Sequence, residues 1–263
     1  MLSKIDIYNE LGKGIVIFPF KENNIKENSI NFTASNYAWS LSSGNIYYSK
    51  NKIHKRERFS IEKQGKKDIK FNIKEGGSAL ISVREDKHIK KYIIILPLST
   101  TLIITEEILG LDSRIGATYH SKVGMVSQGL GHIGTIAGPN FTGLSIIAVN
   151  NSTKKPVAIL VGETFISLVF YYLKTPNFSN QNPTVSAHTD KFYEWGIKAT
   201  QTELDYLNDD NNKRFNKVRE KMLELEEYKL FIERKKKEKN KCIKKIFNFL
   251  KQIIEILRLF KGV

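Results

Sequence analysis

Cysteine is almost missing: the chain has 263 residues and one thiol, Cys242. A lone cysteine excludes an internal disulfide framework and any multi-cysteine metal site, and a reducing cytosol is the default compartment for such a chain. Histidine is scarce as well, five residues scattered without ligand spacing, which argues against a zinc centre. No apolar run reaches the roughly 18–20 residues of a membrane-spanning helix. The opening MLSKIDIYNEL has no apolar core of a secretory signal. Acidic residues are outnumbered, 27 Asp and Glu against 42 Lys and Arg, for a net charge of +15. What is present is ordinary for a folded protein: 41% hydrophobic and 26% charged residues, too apolar for a disordered chain.

The charge is unevenly placed. From Arg234 to Val263 there are eleven Lys and Arg against Glu238 and Glu255, a net +9, which leaves +6 for the first 233 residues. A basic tail meets anionic partners such as phosphates, nucleic acid or lipid headgroups, or simply keeps a chain soluble.

Residues 1 to about 175 read as β-rich. Short runs of β-branched and aromatic residues are separated by Gly, Pro, Asn and Ser, as in Gly14–Pro19, Ala79–Val83, Tyr92–Pro97, Leu102–Thr105, Leu144–Val149 and Phe165–Phe170. Helical periodicity between them is lacking, which excludes alternating βαβ units. The polar stretch from Lys50 to Lys70 reads as a loop or edge hairpin. The texture changes near Trp195. Phe215, Val218, Met222, Leu225 and Ile232 fall near heptad a and d spacing, the pattern of a helix and of a short coiled coil. Further on, Ile243, Ile246, Phe247, Leu250, Ile253, Ile254, Leu257 and Phe260 form one helical stripe, with Lys244, Lys245, Lys251, Arg258 and Lys261 mainly beside it. An interfacial helix on an anionic membrane has this pattern, and so does a helix packed on its own domain or on a sister copy.

The densest cluster of informative residues runs from His120 to Gly143. Glycines at 124, 129, 131, 134, 138 and 143 suit tight turns and close backbone approach to a ligand. Ser121, Lys122, Ser127 and Thr135 offer hydroxyls and an ammonium to phosphate oxygens. A glycine-rich hairpin that merely turns corners gives the same composition.

Over residues 15–190 the chain resembles the trimeric dUTPase and dCTP deaminase superfamily. Ser29-Ile30-Asn31 looks like its early Ser-(Ile/Val)-Asp motif, and Ile95-Leu96-Pro97 followed by Thr105-Glu106-Glu107 like its Pro-containing strand and Thr-x-Glu segment. His120-Ser121-Lys122 lies where the deaminases have Arg-Ser-Ser, and Pro139-Asn140-Phe141-x-Gly143 where they have Pro-Gly-(Phe/Trp)-x-Gly. Asn151 matches the Asn closing the next strand. Gly162 to Leu173 is similar to the family's last strand, and Gln181 to Ser186 to the tail that closes over the triphosphate.

The resemblance implies a mainly β, distorted jelly-roll domain over 1–195 and a homotrimer with a deoxynucleotide at each subunit boundary. The remainder reads as a charged helix over 196–240 and a basic amphipathic helix over 241–263. It implies nucleotide contacts from His120, Ser121, Lys122, Phe141, Gln181 and Ser186, with a hairpin at about Gly131–Phe141 holding the base and Phe141 under the sugar; the Thr135 hydroxyl joins them as a candidate by its chemistry. Departures from the family pattern stand beside these matches. Ala148 lies where the deaminases have their proton-shuttling Glu, and Met125 where they have their catalytic Arg. Ala137–Asn140 holds no carboxylate where dUTPases orient water with Asp, and Asn31 stands for the early Asp. Ala and Met cannot move a proton at any pH. His132 is the candidate substitute base, because imidazole titrates near neutrality, with Asp112 and Glu106 in the same half of the domain. Mg²⁺ accompanies many triphosphates, and nothing in the sequence demands it. The expectation is a cytoplasmic pyrimidine deoxynucleotide-binding protein without standard catalysis, membrane-peripheral if the last helix meets lipid. The rival is an active deaminase or dUTP diphosphatase with a rearranged site.

Overall fold

The computed structural model describes residues 1–48, 69–85, 88–178 and 186–260. The stretch read as a loop or edge hairpin therefore lies outside the described residues, except for Ile69 and Lys70. In chain order the elements are α1 (Lys4–Glu10), β1 (Ile15–Phe18), β2 (Ile30–Ser40), β3 (Gly44–Tyr48), β4 (Ile69–Ile73), β5 (Leu80–Glu85), β6 (His88–Ile95), β7 (Ser99–Leu111), β8 (Ile115–Ser121), α2 (Val123–Val126), β9 (Leu130–Gly131), β10 (Ile136–Ala137), β11 (Thr142–Asn151), β12 (Val157–Leu160) and β13 (Thr164–Tyr172). A 3-10 turn, Ser186–Lys191, leads to α3 (Gln201–Leu207), α4 (Phe215–Glu224) and α5 (Glu226–Phe260).

Every ladder is antiparallel. The main sheet has the order β10-β8-β13-β2-β7-β11-β9, with β1 also on β7, and beside it lie the sheet β12-β6-β5 and the hairpin β3-β4. This is the expected mainly β architecture, a curled jelly-roll with helices at its C-terminal end. The curl is made by β2. Ile30–Thr33 pair with β13, and from Ala34 onward the strand pairs with β7, with a register shift in that ladder between Ala34 and Ala38. A shift of this kind bends a strand and increases its twist.

Two cores result. Strand β6 shows how: alternate side chains of a strand face opposite ways, so Ile93 and Ile95 enter the main core around Trp39, Phe32 and Phe170, while Tyr92 and Ile94 enter a second one with Ile46, Ile73, Ile81 and Val83. Buried Glu107 holds the main core's polar seam. It accepts from the Thr33 amide at 2.7 Å and hydroxyl at 2.5 Å and from Asn24 at 3.3 Å. Burial pushes its carboxyl above the usual range, against those donors and Lys21.

The stretch that reads as one coiled-coil helix is two helices separated at Leu225. Its apolar positions pack within the chain: Val218 and Met222 are fully buried, and the Ile17 amide donates to the Met222 sulfur at 3.3 Å. A helix covering a sheet and a helix covering another helix use the same apolar spacing, so the seam goes to β1 here. The first turns of α5 also dock. Tyr228 and Phe231 are buried, the Tyr228 hydroxyl donates to the Leu11 carbonyl at 3.0 Å, and Arg234 pairs with Glu22.

Candidate functional site

A cavity of about 440 Å³ opens on one face of β11, a size suited to a small organic ligand. Its floor is Leu102 from β7 and Leu144, Ser145, Ile146 and Ala148 from β11; Tyr119, Thr135, Ile136 and Phe141 form one side, and Leu41, His188 and Trp195 another. Three consecutive residues of β11 line it where the ladder with β7 shifts register between Leu144 and Ile146. Ser145, which faces the extra residues of β7 there, donates its amide to the Thr105 hydroxyl at 3.1 Å, and its own hydroxyl lies 2.5 Å from that of Tyr119. Burial keeps the Tyr119 phenol protonated, pushing its pKa far up despite the Ser145 hydrogen bond. The described lining is therefore mostly apolar and aromatic, with a few hydroxyls and the His188 imidazole, and no Lys or Arg is among the described residues that line it.

Two sequence candidates, Thr135 and Phe141, line this cavity, and so does Ala148. Ser121, Lys122 and His132 do not. The Ser121 hydroxyl lies 3.0 Å from His132 Nδ1 and accepts the His132 amide at 3.1 Å. With Met125 and Val149 they border a void of only about 10 Å³, room for about one water. Val149 and Ala148 are neighbours on β11 and so face opposite ways, which puts this cluster and the cavity on opposite sides of that strand. Lys122 donates to the Thr164 carbonyl at 3.1 Å and also bonds the Thr164 hydroxyl. Burial, then the nearby charge of Lys26, hold its pKa below the usual lysine value. His120 is exposed and bonds Thr118 at 2.9 Å on the face of β8 opposite Ser121. Ser186 begins the 3-10 turn that carries His188, and Gln181 lies outside the described residues.

Residues 131–141, read as a base-holding hairpin, form an arch instead. β9 pairs with β11 and β10 with β8, not with each other. Gly134 and Gly138 lie outside these pairings, and Pro139 has no amide to donate. The two carboxylates named beside His132 are occupied elsewhere. Asp112 holds the Arg114 guanidinium at 2.7 Å, and Glu106 holds Lys21 at 2.8 Å. Among the described residues no three His, Cys, Asp or Glu side chains converge. Sequence reading missed Tyr119, Ser145, His188 and Trp195. The register shift that turns Ser145 inward leaves no trace in composition. Trp195 looked only like a boundary.

His132 has a pH signature. Its Nε2 is buried without a hydrogen-bond partner among the described residues, and burial, then the charge of His120, lower its pKa. The folded protein thus keeps it neutral while the unfolded chain takes up a proton near pH 6.5. Its contribution is complete above about pH 6.5 and is lost as pH falls from there toward the folded value. Thermal melts across that range should show a steeper acid-side loss for the wild type than for His132→Asn, and parallel curves would contradict the assignment.

The curled antiparallel sheet and the apolar cavity against β11 define a jelly-roll protein with a cavity of small-molecule size. Residues 1–173 match the family model described as dCTP deaminase-like, and the chain belongs to that family. Among solved structures it is similar to the 2'-deoxycytidine 5'-triphosphate deaminase of Agrobacterium tumefaciens, at 11% identity and a TM-score of 0.40, covering 64% of this chain and 45% of that one. It is also similar to a mutant dUTPase of Staphylococcus bacteriophage 80alpha with dUpNHpp, at 14% identity and a TM-score of 0.30, covering 40% and 91%. A mutant dUTPase from phage phi11 of S. aureus, whose structure describes a structural Mg(II) ion, stands at 14% and 0.30, covering 40% and 92%. No curated protein matches the chain.

Proposed function

We propose that the protein binds a pyrimidine deoxynucleotide, base and sugar in the 440 Å³ cavity against Phe141 and Thr135, and does not turn it over. The observation that carries this is Ala148. It lies in the cavity wall where the family resemblance implies a proton-shuttling glutamate, and the described residues of that wall include no carboxylate. Binding surfaces survive such a replacement, whereas general acid–base catalysis does not. Sensing or regulation fits a site that binds without reacting. The phosphates go to Ser121 and Lys122 of a second copy, since within one chain the Ser121 cluster faces away from the cavity across β11. The assembly is accordingly a homotrimer with shared sites, in the cytoplasm. Lys122 exchanges Thr164 for a phosphate on binding, and Mg²⁺ arrives with the triphosphate if at all.

Thermal shift and equilibrium binding with dCTP, dUTP and CTP, with and without Mg²⁺, test the reading, alongside the mass of the protein in solution. Ala148→Phe fills the cavity from an exposed wall position and should lower affinity about tenfold or more. Lys122→Ala removes a charge-assisted hydrogen bond and should cost about 1.5–3 kcal/mol of binding. Unchanged affinity in both variants would remove the site. Turnover near about 10 per second would establish the rival enzyme reading, with His188→Ala and His132→Ala as the next measurements, because the His188 imidazole lines the cavity.

A further inference from the structure

Helix α5 is 35 residues long, about 52 Å, and its first turns lie against the β domain. Tyr228 and Phe231 are buried there, and the Lys235 ammonium sits 4.0 Å from the Tyr8 ring centroid. Eighteen residues of α-helix make about five whole turns. Ile246 therefore sits on the azimuth of Tyr228, and Leu250 on that of Ile232. The face that docks at the root of the helix thus continues along it, yet Ile246 is 54% exposed and Leu250 50% exposed. The same spacing runs on in the sequence through Ile253, Ile254, Leu257 and Phe260, within a helix that extends to Phe260.

We propose that this distal face lies on an anionic lipid surface. Charge selects the occupant. The segment from Arg234 onward carries +9 and the rest of the chain +6, so a second copy of this chain would set like charge against like charge. A nucleic acid would neutralise the lysines and leave the apolar stripe in water. A bilayer with acidic headgroups satisfies both, taking the stripe into the acyl boundary and the flanking Lys and Arg into the headgroups. No described helix is long and apolar enough to cross a membrane, so the helix lies in the plane of the interface. This inference does not rest on the nucleotide reading.

The test is flotation of the full chain with vesicles of phosphatidylcholine alone and of phosphatidylcholine mixed with phosphatidylglycerol. Wild type should float with the mixed vesicles and not with the neutral ones. The double variant Ile246→Asn, Leu250→Asn keeps every charge and should lose about tenfold or more of this partitioning. Lys244→Gln, Lys245→Gln, Lys251→Gln keeps the stripe and should lose binding as well. Both variants should keep the wild-type melting temperature and solution mass. Failure of wild type to float with acidic vesicles overturns the proposal, as does full binding by both variants. A lower mass or melting temperature in the Asn variant would assign the face to a second copy and overturn it too.

Discussion

Phe231→Ala is expected to lower stability by about 3–5 kcal/mol. At this chain length each kcal/mol moves the melting temperature by roughly 2–4 °C. Phe231 is fully buried, and its ring centroid lies 5.1 Å from Tyr8, 5.3 Å from Phe20 and 5.9 Å from Tyr228. Those rings are fixed from three elements, so they cannot close over the void left by the missing side chain, and the cost includes the cavity as well as the transfer of the ring. Leu230→Ala, one residue away and 48% exposed, is the control. It should stay within about 0.5 kcal/mol, as surface substitutions do. Equal melting temperatures for the two variants would mean that α5 does not dock as described.

Asn151→Ala should cost about 3 kcal/mol or more, measured by denaturant titration. Asn151 is 2% exposed and closes β11 by tying three segments together. Its amide nitrogen donates to the carbonyls of Ile95 at 3.0 Å, Leu96 at 3.1 Å and Lys155 at 2.8 Å. Its oxygen accepts from the amide and the hydroxyl of Thr153 at 2.9 and 2.8 Å. Alanine leaves these groups without partners where water does not reach the deepest of them, and orphaned buried polar groups cost more than the lost bonds gained. Asn151→Asp sharpens the test. It keeps the acceptor for Thr153 but sets a carboxylate against three carbonyl oxygens, so it should be at least as unstable near neutrality and recover part of the loss on acidification, when a protonated acid can donate. An Asp variant as stable as wild type would refute the donor role.

The strands that carry dense β-branched runs were legible in the sequence. β1, β5, β6, β7, β11 and β13 coincide with the runs around Ile15, Ile81, Ile94, Ile103, Ile147 and Leu168. β2 was not, because Ile30–Ser40 mixes Asn, Thr, Ser and Ala with aromatics. It is buried over most of its length, so neither alternation nor an apolar run marks it. At the site, Phe141 was legible through the family motif and Thr135 through its hydroxyl in the glycine-rich cluster, and both line the cavity. Their companions Tyr119, His188 and Trp195 come from elements far apart in the chain, and no local pattern records that meeting. Lys122 reads as a free phosphate ligand in sequence; only the crossing of β8 and β13 reveals Thr164 as its partner.

The shared strand β2 has a mechanical consequence. One continuous backbone is bonded to β13 at one end and to β7 at the other, so the two halves of the roll have no seam along which to part, and a breathing motion between them would have to break a covalently linked pair of ladders together. Entry to the cavity must then be governed at its mouth. There Ile136 is 77% exposed and Trp195 39% exposed, and a rotation about side-chain bonds opens more room than any flexing of the sheet.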